Sequence, residues 1–286
     1  MQKKGEFQFN WIFVMIAGAL FLLFFISFGV KYKNFQEDKS RIEVLNNFDN
    51  TLTALQSSCF NTFDSLTLPL IVENKCGKLS SGGKEINTDN IIFSPRMLNG
   101  KVLIWYQSYK MPFKITSFYY IIPEKSKYYL VEDSGNLSVS IINGLPEDVK
   151  KRVFVIKSSN LKKDGRLIFL NINNNPGNNG ISVIGNADEG KVIINEREYS
   201  YTGQELLYGI IFSDDYGCLL NKVQSKTSSI GQIYKDKINI IRNPGCDYSI
   251  IINGISKLQN KLDLDTAKLI DEENSKLIGN GCFGVF

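Results

Sequence analysis

The sequence contains no histidine, so it cannot assemble a Ser-His-Asp or Cys-His nucleophile pair or an imidazole metal ligand. Chemistry would have to rest on carboxylates, lysines, tyrosines and cysteines. Cys59, Cys76, Cys218, Cys246 and Cys282 include no CxxC spacing, which leaves neither a redox-active dithiol nor a zinc ribbon. Asp214 and Asp215 follow an apolar run. Acids at that place can be catalytic or metal-binding in α/β folds, and they are equally ordinary residues at a helix start. Asp263 and Asp265 spell DxD between two helical segments and read as a linker residue and a helix N-cap. Gly279, Gly281 and Gly284 fit GxGxxG without the preceding strand and following helix that a dinucleotide loop needs. Ser80-Ser81-Gly82-Gly83-Lys84 lacks phosphate-loop spacing and reads as a hairpin or loop tip. No catalytic, metal-binding or cofactor-binding residue is assigned, and no cofactor is expected.

Three further patterns have a plain and a functional reading. Asn136-Leu137-Ser138 is a glycosylation sequon, relevant only outside the cytoplasm. Lys150, Lys151, Arg152, Lys157, Lys162, Lys163 and Arg166 form a basic stretch that suits anionic lipid or polymer, or a solvated face. Tyr106, Tyr109, Phe118, Tyr119, Tyr120, Tyr128 and Tyr129 concentrate rings that could stack on bases or sugars, or fill one sheet face. The net charge of +4 is too even to argue for nucleic acid, and none is expected as a partner.

These groups must be positioned by four kinds of element. Residues 1–10 are a flank. Trp11 to Val30 holds 20 residues without a charge, about 30 Å as a helix, which matches the hydrocarbon core of a bilayer. Phe7, Phe9, Trp11, Tyr32 and Phe35 place aromatic rings at its two boundaries. Ser27-Phe28-Gly29 would suit a cleaved secretory signal, but the apolar run exceeds the length of such a signal's core, so an uncleaved single-pass anchor is expected. Residues 31–60 carry apolar positions at Ile42, Leu45, Phe48, Leu52, Leu55 and Cys59, a helical stripe. This stalk would pack on its own globular domain or self-associate as a short coiled coil.

Residues 61–213 read as sheet-rich, with strands expected at Leu66–Val72, Ile91–Phe93, Val102–Tyr106, Phe113–Ile122, Tyr128–Val131, Leu137–Ile142, Val153–Ile156, Leu167–Ile172, Ile181–Ile184, Val192–Ile194 and Leu206–Phe212. Leu145-Pro146-Glu147-Asp148 looks like a helix start. Asn173 to Gly180 is a turn-rich loop. Residues 214–286 read as three helices in the same globular unit: Asp214 to Ile241, with a break near Gly231; Cys246 to Leu262; and Thr266 to Ile278, capped by Asp265 and stopped by Gly279. The fold class is α+β.

Helix geometry bears on the cysteines. Cys218 and Cys246 begin consecutive helices, so an antiparallel hairpin holds them far beyond the roughly 7 Å Cα limit of a disulfide. Cys246 and Cys282 lie at the start of the second helix and beyond the end of the third, which a hairpin brings together. The expected bridges are Cys246–Cys282 and Cys59–Cys76, with Cys218 left over. The alternative is five reduced cysteines packed as small apolar residues.

At the amino terminus, Lys3, Lys4 and Gly5 precede Glu6 and the apolar helix. This resembles an archaeal type IV prepilin-like (class III) signal, in which a dedicated peptidase cuts after the glycine. The resemblance implies cleavage between Gly5 and Glu6, with the helix kept for anchoring or filament packing. The bacterial pattern has Glu five residues after the cut, where this chain has Asn10. Lysine and arginine counts around the span favour a cytoplasmic domain. Disulfide-ready cysteines and the prepilin-like start favour the outside, and the domain is expected there. The function expected is non-enzymatic: a membrane-anchored protein in surface assembly, adhesion or a pilin-like apparatus. A ligand-binding or sensory ectodomain and a membrane-tethered, carboxylate-using enzyme are the alternatives.

Overall fold

The computed structural model describes residues 4–56, 63–162, 164–172, 180–241 and 243–286. Helix α1 (Lys4–Gln56) runs for 53 residues, about 80 Å. It contains no proline and runs without a break from span into stalk. From Trp11 to Val30 it packs on nothing among the described residues. Trp11, Phe25 and Val30 are more than half exposed, and its most apolar window has a mean hydropathy of 2.6 with none of it buried. Among the described residues it is the helix long and apolar enough to cross a membrane. Its last third behaves differently. Leu45, Phe48 and Leu52 of the expected stripe are fully covered by the protein's own first sheet.

That sheet comprises β1 (Phe63–Lys75), β2 (Lys78–Ser81), β3 (Lys84–Asn87), β4 (Ile91–Phe93), β5 (Met97–Lys110) and β6 (Lys114–Pro123), in the order β3-β2-β1-β5-β6-β4. All its pairings are antiparallel except β4 with β6. The Cys76-Gly77 turn, positive in φ at both residues, closes β1 onto β2 in the manner of a type I′ hairpin. Side chains alternate across the sheet. Val102, Ile104, Tyr106, Tyr119 and Ile121 meet α1. Leu103, Trp105, Phe118, Tyr120 and Ile122 point the other way into the main core. With both faces covered, β5 and β6 carry unbroken apolar runs at Val102–Tyr106 and Phe118–Ile122. The tyrosines singled out for stacking are buried: Tyr109 stacks on Phe118 at 4.8 Å and Tyr106 lies 5.4 Å from Tyr119.

The second sheet comprises β7 (Tyr128–Val131), β8 (Val153–Ile156), β9 (Arg166–Leu170), β10 (Ile181–Gly185), β11 (Glu189–Ile194) and β12 (Arg197–Thr202), in the order β12-β11-β10-β9-β7-β8. The four strands β8, β7, β9 and β10 are parallel, and β11 and β12 add an antiparallel hairpin. Two short helices, α2 (Leu137–Asn143) and α3 (Glu147–Lys150), connect β7 to β8. Helix α4 (Gln204–Phe212) lies in the main core with every residue from Leu206 to Phe212 buried. It joins both neighbourhoods: Tyr120 of β6 donates to Glu205 O at 2.7 Å, and Tyr208 donates to Ile141 O of α2 at 3.2 Å. Gly209 is required there because the Phe93 ring rests where a Cβ would be. The chain closes with α5 (Tyr216–Ile241), α6 (Ser249–Asn260) and α7 (Leu264–Gly279). The core is continuous from β4 to Val285, so sheets and terminal helices form one unit.

The fold class is mixed, with a long apolar helix first, sheets in the middle and helices last, as expected. Several elements differ. Leu206–Phe212 and Leu137–Ile142 are helices, not strands. An apolar run buried all round carries no period to separate the two, and Leu206–Phe212 is such a run. Helix α5 passes Gly231 unbroken, because the missing side chain lets Ile255 and Gln259 of α6 approach. Asp263, not Asp265, caps α7, accepting from Thr266 N at 2.8 Å and Thr266 Oγ1 at 2.6 Å. Gly279 is helical, and the residue with positive φ is Gly281. Strands β2, β3 and β12 were not anticipated; the Ser80–Lys84 stretch is the turn joining β2 to β3. Residues 57–62, with Cys59, and most of the Asn173–Gly180 loop lie outside the described residues.

Candidate functional site

In the second sheet the strand order reverses between β7 and β9, and open parallel sheets bind ligands beyond the carboxyl ends of their strands at such a point. Glu132 stands there, directly after β7. Its buried carboxylate accepts from Leu137 N at 3.0 Å, Ser138 N at 3.2 Å and the Ser138 hydroxyl. The first turn of α2 is thus satisfied by the protein's own anion. Asp133 beside it accepts from Ser158 N at 2.8 Å, and the Ser158 hydrogen bonds hold its pKa below the usual value. Asn136 is exposed at the N-cap of α2 with no side-chain capping bond, while the Ser138 hydroxyl of its sequon is committed to Glu132.

The opposite ends of the same strands are open. A cleft of about 720 Å³ is lined by Tyr128, Arg166 and Ile181 at the starts of β7, β9 and β10, with Lys127, Asp164, Arg96 and Asp214 around them. Arg166 enters as the first residue of β9, and its guanidinium is largely buried. Its Nη1 lies 2.5 Å from Asp214 Oδ1, and its Nη2 donates to Ser213 O. Burial pushes its pKa down and Asp214 opposes that shift. Asp214 Oδ2 accepts from Arg96 N at 2.8 Å, and Arg96 Nη2 donates to Asp215 Oδ1 at 3.0 Å. Lys127 and the Tyr129 hydroxyl both donate to Asp164, at 2.6 and 2.9 Å, and lower its pKa.

This network clasps the two sheets together through the α4–α5 junction. Both Asp214 oxygens accept hydrogen bonds from the arginines, which fixes the carboxylate in place. Among the described residues no cluster of three or more Cys, Asp and Glu is placed to hold a metal ion. Arg166 Nε and the Tyr128 hydroxyl remain buried without a hydrogen-bond partner among the described residues. Burial pushes the Tyr128 pKa up to about 12, a rise tempered first by the Arg166 charge and then by Ser126. Arg166 therefore leaves the solvated basic face expected of residues 150–166. Lys150 and Lys151 stay on it, paired with Glu147 and Asp148 of their own turn. The sequence offered Asp214 and Asp215 as acids after an apolar run, but nothing local pointed to their arginine partners.

The cysteines give one correction. Cys246 and Cys282 are joined, with Cα atoms 6.0 Å apart, tying the segment after α7 to the start of α6. Cys76 is joined to Cys218, with Cα atoms 5.8 Å apart, rather than to Cys59. The turn after β1 reaches the first turn of α5, where Lys222 also donates to Thr88 O. Cys218, expected to be unpaired, is the partner. Gly5 and Glu6 lie in the first turn of α1. The chain matches no protein-family model, and comparison with curated proteins and with solved structures finds no match.

Proposed function

We propose that this is a single-pass membrane protein that holds a disulfide-bonded α+β domain outside the cytoplasm and acts without catalysis in surface assembly, in a pilin-like apparatus or in adhesion. The observation that carries this reading is the division of labour along α1. Trp11 to Val30 is apolar on every side and packs on nothing among the described residues. Leu45, Phe48 and Leu52 of the same helix are sealed against the first sheet. One rigid element thus joins a lipid-soluble rod to a folded head, and a lateral packing partner for the rod can come from lipid or from other rods. Two disulfides in the head fit an oxidising compartment. Protease treatment of intact cells, with the mature amino terminus sequenced in parallel, tests it. Digestion of the head from outside and a start at Glu6 are expected; a protected head with an intact Met1 would overturn both parts.

A second reading, a ligand-binding ectodomain, draws on the cleft beside Arg166. Its two buried polar atoms without partners and its surplus of cations would suit a small acid. Titration of the full-length protein in detergent with citrate and with inorganic phosphate, followed by NMR of the Arg166 Nε–H, tests it. A saturable shift is expected on this reading, and an unmoved resonance at millimolar acid counts against it.

A further inference from the structure

The two disulfides of the head stand in different surroundings. Cys246 and Cys282 are half-buried and pack against the main core. That end is also held without sulfur: Tyr248 donates to Phe283 O at 3.0 Å, and Val285 N donates to Asn274 Oδ1 at 2.6 Å. Cys76 and Cys218 belong to neither core. Cys218 is exposed and Cys76 half-buried, so this bridge lies at the surface, across the join between the β1–β2 turn and α5. Among the described residues the same join carries polar contacts: Lys222 donates to Thr88 O at 3.0 Å, and Thr88 Oγ1 donates to Asp49 of α1.

The charges around the two bridges differ as well. Cys218 is the third residue of the 26-residue α5, where backbone N–H groups precede the helical ladder and the helix presents its positive end. Lys222 follows one turn later on the same face. Its ammonium lies where a Cβ of Gly77 would be, against the residue that follows Cys76. Lys75 precedes Cys76 in the chain, and Lys226 stands one turn beyond Lys222. The acids nearby are Asp49, already accepting from Thr88 and Asn90, Asp89, which acts on Lys222, and Asp215, held by Arg96. The unpaired charge at this bridge is thus mainly cationic. A thiolate on Cys218 is favoured by the helix end and by the ammonium, and so is a ready leaving group.

We propose that Cys76–Cys218 is a thiol-exchange site, opened by a dithiol reductant while Cys246–Cys282 stays closed, and that its opening unlocks the first sheet from α5. One thiolate of the reductant attacks Cys76 Sγ, the bond between Cys76 and Cys218 breaks, and Cys218 leaves as a thiolate. The second thiolate of the reductant then attacks the reductant sulfur bonded to Cys76. That closes the reductant's own disulfide and releases Cys76 as a thiolate, so two electrons pass from the dithiol to the bridge. Helix α5 still packs on β4 and β6, so the head stays folded and the part set free is the β1–β2 turn. The site lies in the head and does not depend on the anchor.

The test uses full-length protein in detergent, with Cys59→Ser to keep the fifth cysteine out of the exchange. The protein is held in excess dithiothreitol, quenched with iodoacetamide at intervals and mapped by mass spectrometry. The Cys76–Cys218 bridge should open about tenfold faster than Cys246–Cys282. Hydrogen exchange should then quicken in the β1–β2 turn and the first turn of α5 and stay unchanged in β5 and β6. Lys222→Met should slow the opening severalfold, and Lys222→Arg should restore it. A purely structural part for Lys222 would instead speed the opening, because loss of its bond to Thr88 loosens the join. With Lys222 in place, alkylation of reduced Cys218 should reach half its plateau rate below about pH 8.5, where a free cysteine does. Opening of both bridges at one rate, or of Cys246–Cys282 first, overturns the exchange site. Unchanged hydrogen exchange in the turn overturns the unlocking. A Cys218 half-point at or above that of a free cysteine, or opening of Lys222→Met at the same or a higher rate, overturns the part given to the helix end and the ammonium.

Discussion

The two ends of the parallel strands β7, β9 and β10 solve opposite problems. At the carboxyl ends, a single buried acid, Glu132, fills the crevice and satisfies the first turn of α2. Its partners are five and six residues away in sequence. At the amino ends an open cleft is walled by Arg166 and Asp214, 48 residues apart, and by Arg96, whose partner Asp215 is 119 residues away. The first arrangement is a local repair made within one turn of chain. The second is a long-range join, in which charge holds the two sheets to the α4–α5 junction. The usual binding place of such a sheet is thus closed by the protein itself, and the accessible polar chemistry sits at the reverse end.

The largest expected effect breaks the join. Asp214→Ala leaves Arg166 buried without its counter-charge and should cost about 3–5 kcal/mol, a fall in Tm on the order of 10 °C by calorimetry. Replacing the pair together, Arg166→Met with Asp214→Leu, should recover at least half of that loss, because it removes the orphaned charge as well as the bond. A double variant no better than Asp214→Ala would show that the pair does not act as a unit.

A smaller effect is expected at the other end. Glu132→Ala strands two buried N–H groups and should cost about 1–3 kcal/mol, measured by urea unfolding. A loss as large as that of Asp214→Ala would erase the contrast between repair and join.

The smallest effect sharpens the contrast through acid titration. Asp133 at the carboxyl ends and Asp164 at the amino ends both have pKa values lowered from 3.8 in the folded protein. A lowered carboxyl pKa stabilises the fold above the unfolded value, and that contribution disappears as pH falls through the folded value. Both are exposed, so the effect on stability is slight and carboxyl NMR is the suitable readout. Lys127→Met should return Asp164 toward 3.8 and leave Asp133 unmoved, since Ser158 and not a lysine is the main cause there. An Asp164 titration indifferent to Lys127 would remove the distinction.

What the sequence made legible follows the same line between local and distant causes. The span, the helical stripe ending in Leu45, Phe48 and Leu52, and the helix start at Pro146 are written in consecutive residues, and the structure holds each of them. Leu206–Phe212 reads as a strand in the sequence because its surroundings on all sides are apolar, so no period marks it as a helix. Asp263 and Asp265 are both fit to cap a helix, and only the position of Thr266 decides between them. The Cys76–Cys218 bridge spans 142 residues and depends on how the first sheet meets α5, which no local spacing announces. Arg166 looked like one more surface cation until β9 carried it inside.

The unbroken course of α1 has a mechanical consequence. With no proline from Lys4 to Gln56 and its last turns clamped to β-structure, the helix is a drive shaft without a universal joint. On the anchor reading, torque applied to the folded head, by a neighbour or by flow, would be delivered to the bilayer as rotation and tilt of the span. Conversely, the azimuth at which that span is gripped decides the compass direction in which the head looks.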